Sequence, residues 1–206
     1  MSCRPPRSPP HRVRRAELAA TAYAQVAERG LEGLRVREVA AEAGINHATL
    51  IYYFPTKADL VAGVVDHVLC LLVAPAVTPA PQPDQAVMHR LAHELEDIAA
   101  RLERQPQIFR VLTELQLRGA RDAEVGRALA HMDDAWTRFL VGMLRSGIDS
   151  GELRSDLDAD RAAALLRAVF RGIGLAALRR DDQKPHDLVD EASKMMALWL
   201  AARSDR

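Results

Sequence analysis

Apolar side chains along this chain recur at intervals of three and four. No segment shows a sustained apolar/polar alternation bounded by turn residues, so the pattern predicts helix after helix and no sheet. A first helix spans roughly 11–29 and stops at Gly30. Short helices follow over about 36–43, ended by Gly44, and 47–53, ended before Pro55. A fourth opens at Thr56-Lys57-Ala58-Asp59, an [ST]-x-x-[DE] start whose hydroxyl and carboxylate serve exposed backbone N–H groups, and ends by Pro75. Pro75, Pro79, Pro81 and Pro83 make residues 75–83 a linker too rich in proline for a helix.

Five further helices are expected. One covers about 84–104, with Leu91, Leu95, Ile98 and Leu102 on one face, and another runs from Pro106 to about Leu117. A long one covers 121–147, where Val125, Leu129, Met132, Trp136, Phe139 and Met143 repeat at threes and fours and Gly147 and Gly151 end it. The last two cover about 158–179, burying Leu165, Val169, Phe170 and Ile173, and 185–202, burying Met195, Met196 and Trp199. The prediction is an all-α chain of about nine helices, with residues 1–10, four of them proline, as a disordered basic arm.

The 206 residues, 49% hydrophobic and 27% charged, suit one globular domain or two small ones. The longest uncharged apolar run, Val68 to Val77, is ten residues and contains Pro75, against the ~20 needed to cross a bilayer, so no membrane partner is expected. Cys3 and Cys70 make neither a disulfide framework nor a zinc site, and no apolar stretch follows the first arginines as in a secretory signal, so the expected compartment is the cytoplasm. Net charge is zero but unevenly placed, with nine basic and six acidic residues over 1–60. That excess lies mostly in the first fifteen residues, so charge by itself does not mark a nucleic-acid binder.

Residues 36–54 carry more information. Two helices this short must pack closely to persist. Ala40 is small where they would cross, Gly44 permits φ > 0 at a sharp turn, Ile45 follows as a corner plug, and Asn46 is a preferred N-cap. Leu50 and Phe54 give the second helix an inward face. This is the pattern of a helix-turn-helix, and it also fits a plain three-helix corner. On the other face lie His47, Ala48 and Tyr52 with Thr49 beside them. A recognition helix presents its N-terminal residues to base edges in the major groove. His47 and Tyr52 can hydrogen-bond to bases or phosphates, Ala48 can touch a thymine methyl, Thr49, Tyr53 and Lys57 suit phosphates, and Asn46 at the helix start is counted with them as a DNA-binding candidate.

The stretch Gly44-Ile45-Asn46-His47-Ala48-Thr49-Leu50-Ile51-Tyr52-Tyr53-Phe54-Pro55-Thr56-Lys57 resembles the TetR family of bacterial transcriptional regulators, whose pattern runs near G-V-S-x-G-T-L-Y-x-H/Y-F-x-S-K. Ala27-Glu28-Arg29-Gly30 and Val36-Arg37-Glu38-Val39-Ala40 resemble its first two helices, so the motif match covers about residues 16–60. The resemblance implies a three-helix helix-turn-helix DNA-binding domain over 11–56 and a helical ligand-binding and dimerisation domain over 57–206. It makes 36–43 the positioning helix and 46–53 the recognition helix, and it puts Thr49, Tyr53 and Lys57 at positions that touch phosphate. Ile51 stands for the usual tyrosine, Asn46 for serine and Ala48 for glycine. Leu34 and Arg35 stand for a threonine/serine pair, which removes a hydroxyl cap and a phosphate ligand. Arg35 is the candidate replacement for that ligand.

The family further implies a homodimer on a double-stranded, palindromic operator, and a small-molecule effector that releases a repressor. Leu165, Phe170, Ile173, Met195 and Trp199 are candidates for the dimer face, with Gly172 and Gly174 allowing close approach; the alternative is that both helices complete the monomer core. Candidate pocket residues are Phe109, Glu114, Met132, Trp136, Phe139, Met143 and Phe170, although such a stripe also suits plain core. His89 and His93, with Glu96 and Asp97 beyond, have chelating spacing and equally suit a solvated face, so neither metal nor cofactor is expected. No phosphate loop, nucleophile elbow or HExxH is present, which argues against an enzyme. The rival reading is a helical interaction module without specific DNA binding.

Overall fold

The computed structural model describes residues 10–74, 81–82, 84–178 and 184–202. The expected arm at 1–10 and most of the proline linker fall outside them, apart from Pro10 and Pro81–Gln82. Among the described residues the chain is all-α: α1 (Pro10–Arg29), α2 (Val36–Glu42), α3 (His47–Tyr53), α4 (Lys57–Val73), α5 (Val87–Arg104), α6 (Pro106–Gly119), α7 (Ala123–Asp149), α8 (Ala159–Ala176) and α9 (Pro185–Leu200). A 3-10 turn over Leu31–Gly33 joins α1 to α2 and is invisible in the apolar periodicity.

The described chain forms two compact units. One holds α1–α4 together with Gln107–Met132; the other holds residues up to Pro106 after the linker and the chain from Asp133 onward. This division, made by contacts, falls elsewhere than residue 56. In the first unit α1 packs along α4, and α2 packs on α3. Leu18, Ala22, Val26, Leu50, Phe54, Leu60 and Val64 close its core. Phe54 is the wedge. Gly63 of α4 lies against one part of its ring, where a Cβ would stand 2.7 Å from Cε1, and the Arg15 guanidinium lies 4.4 Å from its centroid. In the second unit α5, α8 and α9 pack on one another around Leu91, Leu95, Leu166, Phe170 and Met196.

Several expectations are corrected. Gly147 does not end α7, which continues to Asp149. It is instead a point of close approach, where a Cβ would meet Leu153 at 2.7 Å, and the turn falls at Gly151 with φ 77°. Leu165, Met195 and Phe139 are exposed rather than buried, and Trp136, Val169 and Trp199 are only half-buried. These helices present two apolar faces, and the periodicity could not tell which one the chain itself covers. Cys70 is exposed. Among the described residues no helix is long and apolar enough to cross a membrane.

Candidate nucleic-acid interface

The two short helices are joined by a tight corner. Gly44 takes φ 66°, and the Ile45 N–H donates to the Ala40 carbonyl at 2.9 Å, so α2 stops and the chain turns at once into α3. Asn46 caps α3: its Oδ1 accepts from the Thr49 N–H at 2.7 Å and from the Thr49 hydroxyl at 2.9 Å. Leu50 and Phe54 are buried, which fixes the roll of α3 and leaves His47, Ala48, Ile51 and Tyr52 exposed, Tyr52 to 71%. Thr49 and Tyr53 are half-buried at the margins of that face. Lys57 is exposed in the first turn of α4, where Thr56 and Asp59 form a capping box with both bonds present. The free N–H groups of that turn favour an anion.

The cap of α2 was not legible in the sequence. Arg35 precedes it without a side-chain cap, and Leu34 is spent on the core. The N–H of the N-cap residue itself is satisfied from α1: the buried Gln25 accepts the Arg35 N–H with its Oε1 at 2.6 Å and donates from Nε2 to Glu42 at 3.3 Å. The signal was a polar residue on the inward face of α1, seven after Leu18 and three after Ala22. The Arg35 guanidinium turns back and donates to the Glu32 carbonyl at 2.6 Å while its side chain stays exposed.

Arg14 and Arg15 also work inside the unit. Arg14 donates to the carbonyl of Ala43, the C-cap of α2, at 3.2 Å, and Arg15 lies over Phe54, the C-cap of α3. One turn earlier, His11 meets two rings of α3: its centroid is 4.7 Å from that of Tyr53 and 5.7 Å from that of Tyr52. No sequence signal pointed to His11.

The near-neutral charge of this region reflects acids that are already engaged. Glu28, Glu38 and Glu42 converge on Arg29, Glu17 pairs with Arg14, and Asp59 closes the capping box. α3 itself carries no acid. What the exposed face offers is a neutral, hydrogen-bonding and aromatic surface flanked by cations. That arrangement can approach a polyanion.

The remaining candidates divide between the units. Phe109, Glu114 and Met132 lie in the first, and Trp136, Phe139, Met143 and Phe170 in the second. Glu114 serves the backbone near it, since its Oε2 accepts the Leu31 N–H at 2.5 Å, beside Gly30 with φ 73°. Trp136 stacks on Phe170 at 5.3 Å. Beside them Asp133 pairs with Arg171 and, at 3.7 Å, with Arg167. Of the dimer candidates, Leu165 and Met195 are exposed, Trp199 is half-buried, and Phe170 and Ile173 are buried in their own unit. Among the described residues no three His, Cys, Asp or Glu side chains gather in a way that could hold a metal ion.

Comparison with known proteins gives two family matches. The family described as "Bacterial regulatory proteins, tetR family" matches residues 18–64, and "BetI-type transcriptional repressor, C-terminal" matches residues 87–202. The HTH-type transcriptional repressor Rv3405c of Mycobacterium tuberculosis is 30% identical over 141 residues, covering 63% of this chain and 74% of that protein. The nucleoid occlusion factor SlmA of Haemophilus influenzae is 29% identical over 86 residues, covering 42% of this chain and only 39% of SlmA. A solved TetR transcription regulator from Haloarcula marismortui superposes with a TM-score of 0.79 at 23% identity, covering 92% of this chain and 99% of that one.

Proposed function

The chain belongs to the TetR family of bacterial regulatory proteins, and on that premise we propose that it is a sequence-specific DNA-binding transcriptional regulator and not an enzyme. It acts in the cytoplasm as a homodimer on a palindromic operator, as a repressor that a small molecule releases. The observation that carries the reading is the exposed, acid-free face of α3, held by buried Leu50 and Phe54 and capped by Asn46. On this reading His47, Ala48 and Tyr52 meet base edges, while Thr49, Tyr53, Lys57 and Arg35 hold phosphates. Residues 11–56 form the DNA-binding domain, and 57–206 carry regulation and dimerisation.

Support for the dimer comes from α8 and α9. Leu165, Ala168, Gly172 and Leu175 form an exposed stripe at spacings of three and four, and a Cβ on Gly172 would meet nothing within 4 Å. Met195 and Leu198 of α9 are exposed as well, Leu198 to 88%. Apolar stripes of this kind are the usual material of an interface between helix pairs. A two-fold dimer then requires half-sites spaced to match its two recognition helices. Trp136 and Phe170 are the pocket candidates that the fold brings together, stacked on each other with Arg167 and Arg171 nearby, and on this reading a small-molecule effector binds in their unit. Such an effector acts only by binding one spacing of the recognition helices better than another.

The test is selection of bound sequences from a random duplex library at moderate salt, with the wild-type protein and with His47→Ala/Tyr52→Ala. Enrichment of a palindrome that is lost or altered in the variant is the expected outcome. A folded dimer that enriches nothing refutes the reading and favours the interaction module.

A further inference from the structure

We propose that His11 is a positioning residue of the DNA interface: its imidazole fills the corner between the rings of Tyr52 and Tyr53 and holds both in the orientation α3 presents to DNA. The inference rests on α3 being the recognition helix.

Consecutive residues on a helix point about 100° apart, so neighbouring tyrosines diverge and leave an open corner. Here their rings stand 5.3 Å apart and nearly perpendicular, at 84°. His11 enters that corner from another helix. It lies tilted at 36° to Tyr53, 4.7 Å away, and edge-on at 79° to Tyr52, 5.7 Å away. All three pairs fall in the separation range where aromatic rings attract. Without this contact Tyr52, exposed to 71%, keeps only the Tyr53 ring among its aromatic neighbours, and Tyr53 loses the same support. Ordering such a side chain on binding lowers affinity.

The imidazole stands on an anchored element. Residues 11, 14 and 15 share one stripe of α1. Arg14 donates to Ala43 at the end of α2, and Arg15 lies over Phe54 at the end of α3. Leu18, next on the stripe, is fully buried. One line of side chains on α1 therefore touches the end of α2, the end of α3 and the two tyrosines. Arg14 and Arg15 fix where the helices sit, and His11 fixes how the tyrosines point.

Affinity for the selected operator is measured by fluorescence anisotropy across a salt series. The proteins are wild type, His11→Ala and His11→Phe, with His11→Ala also placed in Tyr52→Ala and in Tyr53→Ala backgrounds. His11→Ala is expected to weaken binding ~3–10-fold with an unchanged salt slope. His11→Phe, which keeps a ring in the corner, restores affinity to within about twofold. In at least one tyrosine-less background the same substitution costs under about twofold, because the ring it would position is gone. Three results overturn the proposal. One is wild-type affinity for His11→Ala. Another is a full loss in both backgrounds. The third is a His11→Phe protein as weak as His11→Ala with a salt slope smaller by about 0.9, which makes the imidazole a phosphate contact instead. A wild-type protein that binds no duplex overturns the proposed function along with this inference, whereas a binding wild type with an indifferent His11→Ala overturns this inference alone.

Discussion

Replacing Gln25 tests whether the start of α2 is held from α1. Gln25 is 1% exposed, and its Oε1 is the acceptor for the Arg35 N–H at 2.6 Å. Leucine at this position has similar volume, so little cavity forms and the loss is mainly polar. The stranded N–H costs about 1–3 kcal/mol. The bond to Glu42 adds little, because that carboxylate is 41% exposed and can turn to water. The expected destabilisation is therefore ~1–3 kcal/mol, which lowers the thermal midpoint of the unit by about 4–8 °C per kcal/mol for a unit near 100 residues. Circular dichroism melts read the midpoint, and operator binding well below it reads the loosened entry to α2. Gln25→Glu separates the two bonds: it keeps an acceptor for Arg35 but sets a second carboxylate against Glu42. Its destabilisation should shrink as pH falls toward the carboxylate range, while that of Gln25→Leu stays constant. A Gln25→Leu protein melting within about 1 °C of wild type refutes the role of this bond in holding the start of α2.

Other outcomes follow from single residues. Arg35→Ala should reduce the salt slope of operator binding by about 0.9, as loss of one phosphate contact does; an unchanged slope means the guanidinium serves only the Glu32 carbonyl. Leu198→Glu, on the exposed face of α9, should shift the protein from dimer to monomer in light scattering and abolish tight operator binding; a dimer that persists removes α9 from the interface. Glu94 on α5 has its pKa pushed up to about 7, first by burial and then by Asp97, against the opposing pull of Arg101 and Arg90. The folded state then holds a proton that the unfolded chain has released, so this group's contribution to stability declines as pH rises from about 4.5 through 7. Glu94→Gln should remove that decline, gaining on wild type in denaturant midpoint at pH 8 relative to pH 5; an equal difference at both values counts against it.

Which features were legible depended on whether their cause was local. Gly30 and Gly44 take positive φ where the sequence places turns, because a turn needs that geometry from the residue itself. Asn46 and the Thr56/Asp59 box each satisfy N–H groups within three residues of their own position. The inward face of α3, Leu50 and Phe54, followed from spacing alone. His47, Ala48 and Tyr52 were readable as exposed because Leu50 and Phe54 leave them no other side of the helix.

The tertiary structure decided what depends on chain brought in from far away. α2, the Leu31 turn and α5 have no side-chain cap of their own, and Gln25, Glu114 and Glu152 supply an acceptor at their starts across 10, 83 and 65 residues. No short-range pattern marks such a partner, because an unsatisfied N–H constrains a position in space and not an offset in sequence. The same limit explains Leu165, Met195 and Phe139, whose apolar periodicity marks a face without saying whether this chain covers it. It explains His11 as well: the sequence ordained two adjacent tyrosines, and only the path of α1 past the end of α3 put a third ring between them.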